Sequence, residues 1–207
     1  SSWSEFGRVM WRDIRFTGLI VVSTADNVTL VLFNLMLAPL VWERFAGDPA
    51  WLSLVAGAFA FGAMAGSILT GLLVERIGTR SSVLFGLAGQ MLCFAALWWG
   101  KGPLPMLLLA VSLGTFNTIS WTTAITAVQL DAPPALRGRL AMMRNALTGA
   151  IVAPLVPLVA TASTKFSQAA PLLLASGVCA GFLLLAAASM RRSEPHRGSG
   201  TEPCNVV

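Results

Sequence analysis

One acidic residue stands where acids are costly. Of the nine Asp and Glu in this 207-residue chain, Asp26 alone lies well inside a long apolar stretch. A charged Asp near the centre of a membrane helix costs about 2.5–3.5 kcal/mol on insertion scales, so it must face protein or water. Its neighbours are polar. Ser23 is one turn earlier, Asn27 is adjacent, and Asn34 lies two turns beyond Asn27 on the same helical face. Two readings fit these residues: a proton or substrate site on a polar stripe, or a hydrogen bond that ties helices together.

A second polar set recurs at four-residue intervals, Gly114, Thr118, Thr122 and Thr126, with Asn117, Trp121 and Gln129 nearby. Thr hydroxyls in apolar helices bond to their own backbone carbonyls and pack, which is the reading taken for the threonines. Asn117 is read as lining an aqueous cavity, and Gln90, alone in its stretch, as structural. Other chemistry is missing. The single histidine, His196, is in the polar tail, and no Ser/His/Asp set, metal-ligand cluster or carboxylate pair can be assembled in the apolar stretches. Cys93, Cys179 and Cys204 lack redox or metal-ligand spacing. These residues point to no enzyme and no cofactor.

The elements that carry these residues follow from composition. The chain is 56% hydrophobic and 11% charged, whereas soluble domains are roughly 25% charged. The apolar residues gather into six blocks, at about 16–42, 51–74, 81–99, 104–129, 140–162 and 169–190. A helix of about 20 apolar residues crosses the hydrocarbon core, and lipid leaves the backbone no other single-segment solution. The expectation is an all-α membrane protein with six transmembrane helices. It has a lead-in at 1–15, a transmembrane domain at 16–190 and a tail at 191–207. Ser, Gly and Pro in the tail read as disorder.

The net charge of +5 has a positional explanation. All fourteen Lys and Arg lie outside the blocks or at their edges. Counted by alternate connections, eleven fall on one side, and only Arg44, Lys101 and Lys165 on the other. Lys and Arg accumulate in cytoplasmic loops, so both termini are expected in the cytoplasm and the protein in the plasma (inner) membrane. This placement also removes the case for nucleic acid. Trp3 and Trp11 suit one membrane interface, and Trp42, Trp51, Trp98 and Trp99 the other. The first block is too long for a signal peptide. A chain starting at Ser1 is expected to be part of something longer. Gly62 and Gly66, extended by Ala58 and Thr70, form a small-residue ridge for helix packing. Pro154 and Pro157 are expected to kink the fifth helix.

Two inner connections carry a resemblance. Gly71-Leu72-Leu73-Val74-Glu75-Arg76-Ile77-Gly78-Thr79-Arg80 resembles the signature loop of the major facilitator superfamily, with Glu75 in place of the commoner Asp and Thr79 in place of a commoner basic residue. Val128-Gln129 through Pro133 to Arg137-Gly138-Arg139 is similar to the fourth-to-fifth connection of drug and siderophore exporters in that superfamily. The resemblance implies twelve helices in two halves that work by alternating access. Lead-in and tail resemble those of the C-terminal half, and the fifth helix lacks a Gly-Pro-x-x-Gly-Gly run seen in many first halves.

On this resemblance the chain is half of a secondary transporter exporting small amphipathic molecules. Its expected partners are the lipid bilayer, a missing N-terminal half or a second copy, and a small-molecule substrate. Asp26, Asn27, Ser23, Asn34, Asn117 and Trp121 would line the substrate or proton path. Gly71, Glu75, Arg76, Gly78, Arg80, Arg137 and Arg139 would gate it. Gly71 would permit close helix contact, and Glu75 would pair with Arg80, Arg137 or Arg139. The alternative is a non-transporting membrane scaffold or an inactive transporter fragment.

Overall fold

The computed structural model describes residues 14–100, 102–132, 134–165 and 169–191. Most of the lead-in and nearly all of the tail fall outside them, as do Trp3, Trp11, Lys101, Pro133, His196 and Cys204. The described residues form five helices: α1 (Ile14–Arg44), α2 (Pro49–Trp99), α3 (Pro103–Asp131), α4 (Pro134–Lys165) and α5 (Ala169–Arg191). All five are long and apolar enough to cross a membrane. The second and third apolar blocks, expected as separate helices, share the single element α2.

That element does not run straight. A continuous helix of its 51 residues would separate its ends by about 75 Å at 1.5 Å per residue. Instead the ends meet. Arg44 donates from Nη2 to Leu97 O at 2.7 Å and from Nη1 to Gly100 O, so the residues just before α2 reach its final turn. The cation there also suits the carbonyl end of a helix. The reversal falls at Gly78, the one residue inside α2 with non-helical angles (φ 80°, ψ 163°). That region of backbone space is essentially reserved for glycine. It divides α2 into limbs at 49–77 and 79–99.

Both limbs pack on α3, in opposite directions. Gly62 and Gly66 of the first limb meet the backbone at Val111 and Thr115, so sequence numbers rise together. Gly86 of the second limb meets Ser120 and Phe116, and Gly89 meets the ring of Phe116, so numbers run opposed. Gly114 returns the contact against Phe59 and Ala63. At Gly62, Gly66, Gly86 and Gly114 backbone meets backbone, which is the close approach that small residues allow where apolar burial gives helices no reason to associate. Thr115 Oγ1 adds a bond to Gly62 O at 3.0 Å.

The interior is layered. A large cluster, including Leu32, Phe33, Leu40, Phe94, Leu113 and Leu172, occupies the end near Arg44. A second, with Val22, Ala25, Val83, Leu87, Ala124 and Ala186, lies further toward the opposite end. Trp42 and Trp99 are exposed at the Arg44 end, and Trp51 stacks on Phe45 there. α1 is the best-covered helix, with 67% of its apolar window buried; in α4 the figure is 6%.

Candidate functional site

Between the two apolar clusters lies a polar layer built by three elements. Asp26 is 1% exposed. Its Oδ1 accepts from Gln90 Nε2 at 2.7 Å and its Oδ2 from Ser120 Oγ at 2.9 Å. Asn117 Nδ2 donates to Gln90 Oε1 and to the backbone oxygen of Asp26, both at 3.2 Å. Helical periodicity places these groups together: on α3, Asn117 and Ser120 are one turn apart and face α1 and the second limb. Gln90 sits one helical turn from apolar core on either side, between Leu87 and Cys93. Gly86 and Gly89, one turn before Gln90 and next to it, let this limb lie close on α3, against Ser120 and the ring of Phe116.

No Lys or Arg bonds to Asp26 among the described residues. The carboxyl is held by neutral donors alone. Ionised, it accepts both bonds; protonated, it can donate one to Ser120 Oγ, because a hydroxyl both donates and accepts. The layer therefore accommodates a proton without losing a partner, and it also cross-braces α1, α2 and α3.

The rest of the expected stripe does not join Asp26. Ser23 Oγ donates to Ile20 O at 3.0 Å and Asn27 Nδ2 to Ser23 O at 3.2 Å, both within α1. Asn34 is exposed, and so is Trp121. Adjacent helical residues point about 100° apart, which turns Asn27 away from Asp26 and Trp121 away from Ser120. Two members of the layer lie outside the expected path: Gln90, read from the sequence as structural, and Ser120. Ser120 carried a signal, its one-turn spacing from Asn117; Gln90 carried one only as a second isolated polar residue in apolar sequence.

Over residues 16–203 the sequence matches the family profile of the Major Facilitator Superfamily. The chain belongs to the Major Facilitator Superfamily. Members are membrane transporters rather than enzymes, which makes this a multi-pass membrane protein of a transporter family. No curated protein sequence matches the chain.

Within this superfamily member, the described residues of the two resembling connections lie at one end of the bundle, opposite Arg44. Gly78 supplies the left-handed turn that reverses α2. Glu75 and Arg76 are exposed beside it, and Arg80 is half-buried. Gly71 corrects an expectation: it is exposed, with open space where a Cβ would stand, so it makes no close helix contact among the described residues. Arg137 Nε donates to Ala132 O at 3.2 Å, tying the start of α4 to the end of α3. Arg139 is half-buried. Ser23 and Arg137 both line a cavity of about 340 Å³ between α1, α3 and α4.

Proposed function

We propose that the chain is the C-terminal half of a secondary transporter that exports small amphipathic molecules by alternating access, with Asp26 as its protonatable group. The observation that carries this reading is a mid-helix carboxyl, buried in a transporter-family chain and held by neutral donors only. Intramembrane acids mark proton and substrate pathways, and this one has partners suited to either protonation state. Six crossings are part of the proposal. Each limb of α2 spans about 30 Å or more at 1.5 Å per residue, enough to cross the hydrocarbon core alone.

In the same reading, Glu75, Arg76, Arg80, Arg137 and Arg139 lie on the cytoplasmic face, where the excess of basic residues belongs. Their contacts form in one conformation and break in the other. They bias the equilibrium rather than touch the substrate. The six-helix unit rocks against a partner half, and both its ends lie in the cytoplasm.

Asp26→Asn tests the proton role cleanly. The Asn carbonyl can still accept from Gln90 and its amide can donate to Ser120 Oγ, so the layer stays satisfied. In proteoliposomes holding the complete transporter, the variant should fold normally and lose the pH dependence of transport. A variant that transports at the original rate with the original pH profile would remove Asp26 from the mechanism.

A further inference from the structure

The cavity beside Ser23 is lined by two cations and, among the described residues, by no acid. It sits where α1 and α4 begin and α3 ends, opposite the end marked by Arg44 and the exposed tryptophans. Arg137 and Arg144, two turns apart on one face of α4, both line it, with Gln129 opposite on α3. Gln129 is the only other polar residue besides Ser23 among the described lining residues. Arg137 is anchored through Nε to Ala132 O, which leaves its terminal nitrogens for another acceptor. Arg144 donates from Nη2 to Asn145 Oδ1 at 3.3 Å, but its Nε is enclosed with no acceptor among the described residues. Enclosed charge is normally paired, and a guanidinium fork matches phosphate and carboxylate oxygens. The remaining wall is aliphatic, with Ile20, Val128 and Leu140.

We propose that this cavity binds an amphipathic anion, with a phosphate or carboxylate head on Arg137 and Arg144 and an apolar body against the aliphatic wall. Two sources supply that chemistry: an anionic phospholipid of the adjacent leaflet, or a diffusible solute on the transport path. Only the second source rests on the transporter reading. Binding is measured without transport, so the two can fail separately.

The test uses the complete transporter in lipid-free detergent, titrated with phosphatidylglycerol, phosphatidylcholine and octyl phosphate, and read by native mass spectrometry and thermal shift. Phosphatidylglycerol or octyl phosphate should bind in preference to phosphatidylcholine. Each basic residue near a membrane surface contributes about fivefold to anion affinity, so Arg137→Gln with Arg144→Gln together should weaken binding by about 25-fold. Arg144→Lys should retain part of it. Ala141→Phe fills the cavity with both arginines in place and should also abolish binding, which keeps the test decisive if the double variant misfolds. Tight phosphatidylglycerol with weak octyl phosphate assigns the lipid source; the reverse assigns the solute. The proposal fails if neither anion binds better than phosphatidylcholine, or if a folded double variant and Ala141→Phe both bind within twofold of the parent.

Discussion

Replacing Gln90 by Leu tests whether the polar layer holds the helices together. The side chain makes two bonds in opposite senses, a 2.7 Å donation to the Asp26 carboxyl and a 3.2 Å acceptance from Asn117. Leu supplies neither, so Oδ1 of Asp26 and one amide hydrogen of Asn117 lose their partners inside an apolar core. A bond to an ionised group contributes about 1.5–3 kcal/mol and a neutral one about 1 kcal/mol in water-soluble proteins. Interhelical bonds in membranes average about 0.6 kcal/mol and reach about 1.7 kcal/mol, because unfolded segments in the bilayer also find partners. Taking the upper membrane figure for the charge-assisted bond and the average for the other gives about 2 kcal/mol lost. Loss of helicity against the mole fraction of a denaturing detergent, in lipid bicelles, measures it. A double-mutant cycle of Gln90→Leu with Asp26→Leu isolates the pair, and coupling of at least about 1 kcal/mol is expected, since residues in one network couple at about 0.5–3 kcal/mol. Coupling indistinguishable from zero would show that these helices are not held through this pair.

Two backbone predictions use the same assay. Ala at Gly66 would put its Cβ 2.6 Å from Thr115 O, and at Gly62 it would fall deeper still against Val111 O; each should cost about 1–3 kcal/mol or more, as overpacking does. Gly149→Ala and Gly177→Ala meet open space and should leave stability unchanged or raised, so equal losses at all four would contradict the α2–α3 contact. Gly78→Ala meets nothing within 4 Å, yet its φ of 80° should still make it cost about 1–3 kcal/mol; a neutral result would mean the reversal lies elsewhere.

The helical character of the chain was legible because lipid leaves an apolar segment so few options. Asp26 was legible for a related reason: an acid in such a segment has to be accounted for. Its surroundings were not. Ser23, Asn27 and Asn34 look like company along the chain, but the turn of the helix points Asn27 and Asn34 elsewhere, and Ser23 bonds to its own backbone. The true partners, Gln90, Asn117 and Ser120, are 64 to 94 residues away. No local pattern states which faces of three apolar helices will meet. Gly62 and Gly66 announced a packing ridge, yet nothing in their spacing named Val111 and Thr115 as the surface they meet. The break between blocks two and three was legible, but not that Gly78 alone makes the reversal, so that both blocks share one element where a longer loop would have divided two.

Side chains normally act as a cushion between helices, since rotamers can shift when one helix slides past another. The α2–α3 contact has little cushion. At Gly62, Gly66, Gly86 and Gly114 the opposing surface includes backbone, and backbone has no rotamers to yield. The two limbs grip α3 from opposite directions, so displacement of one drags α3 and the other with it. Mechanically this portion is a stiff beam. Force applied at the Gly78 end would thus pass through α3 to Asn117 and Ser120 and so to the Asp26 layer, as a lever delivers it.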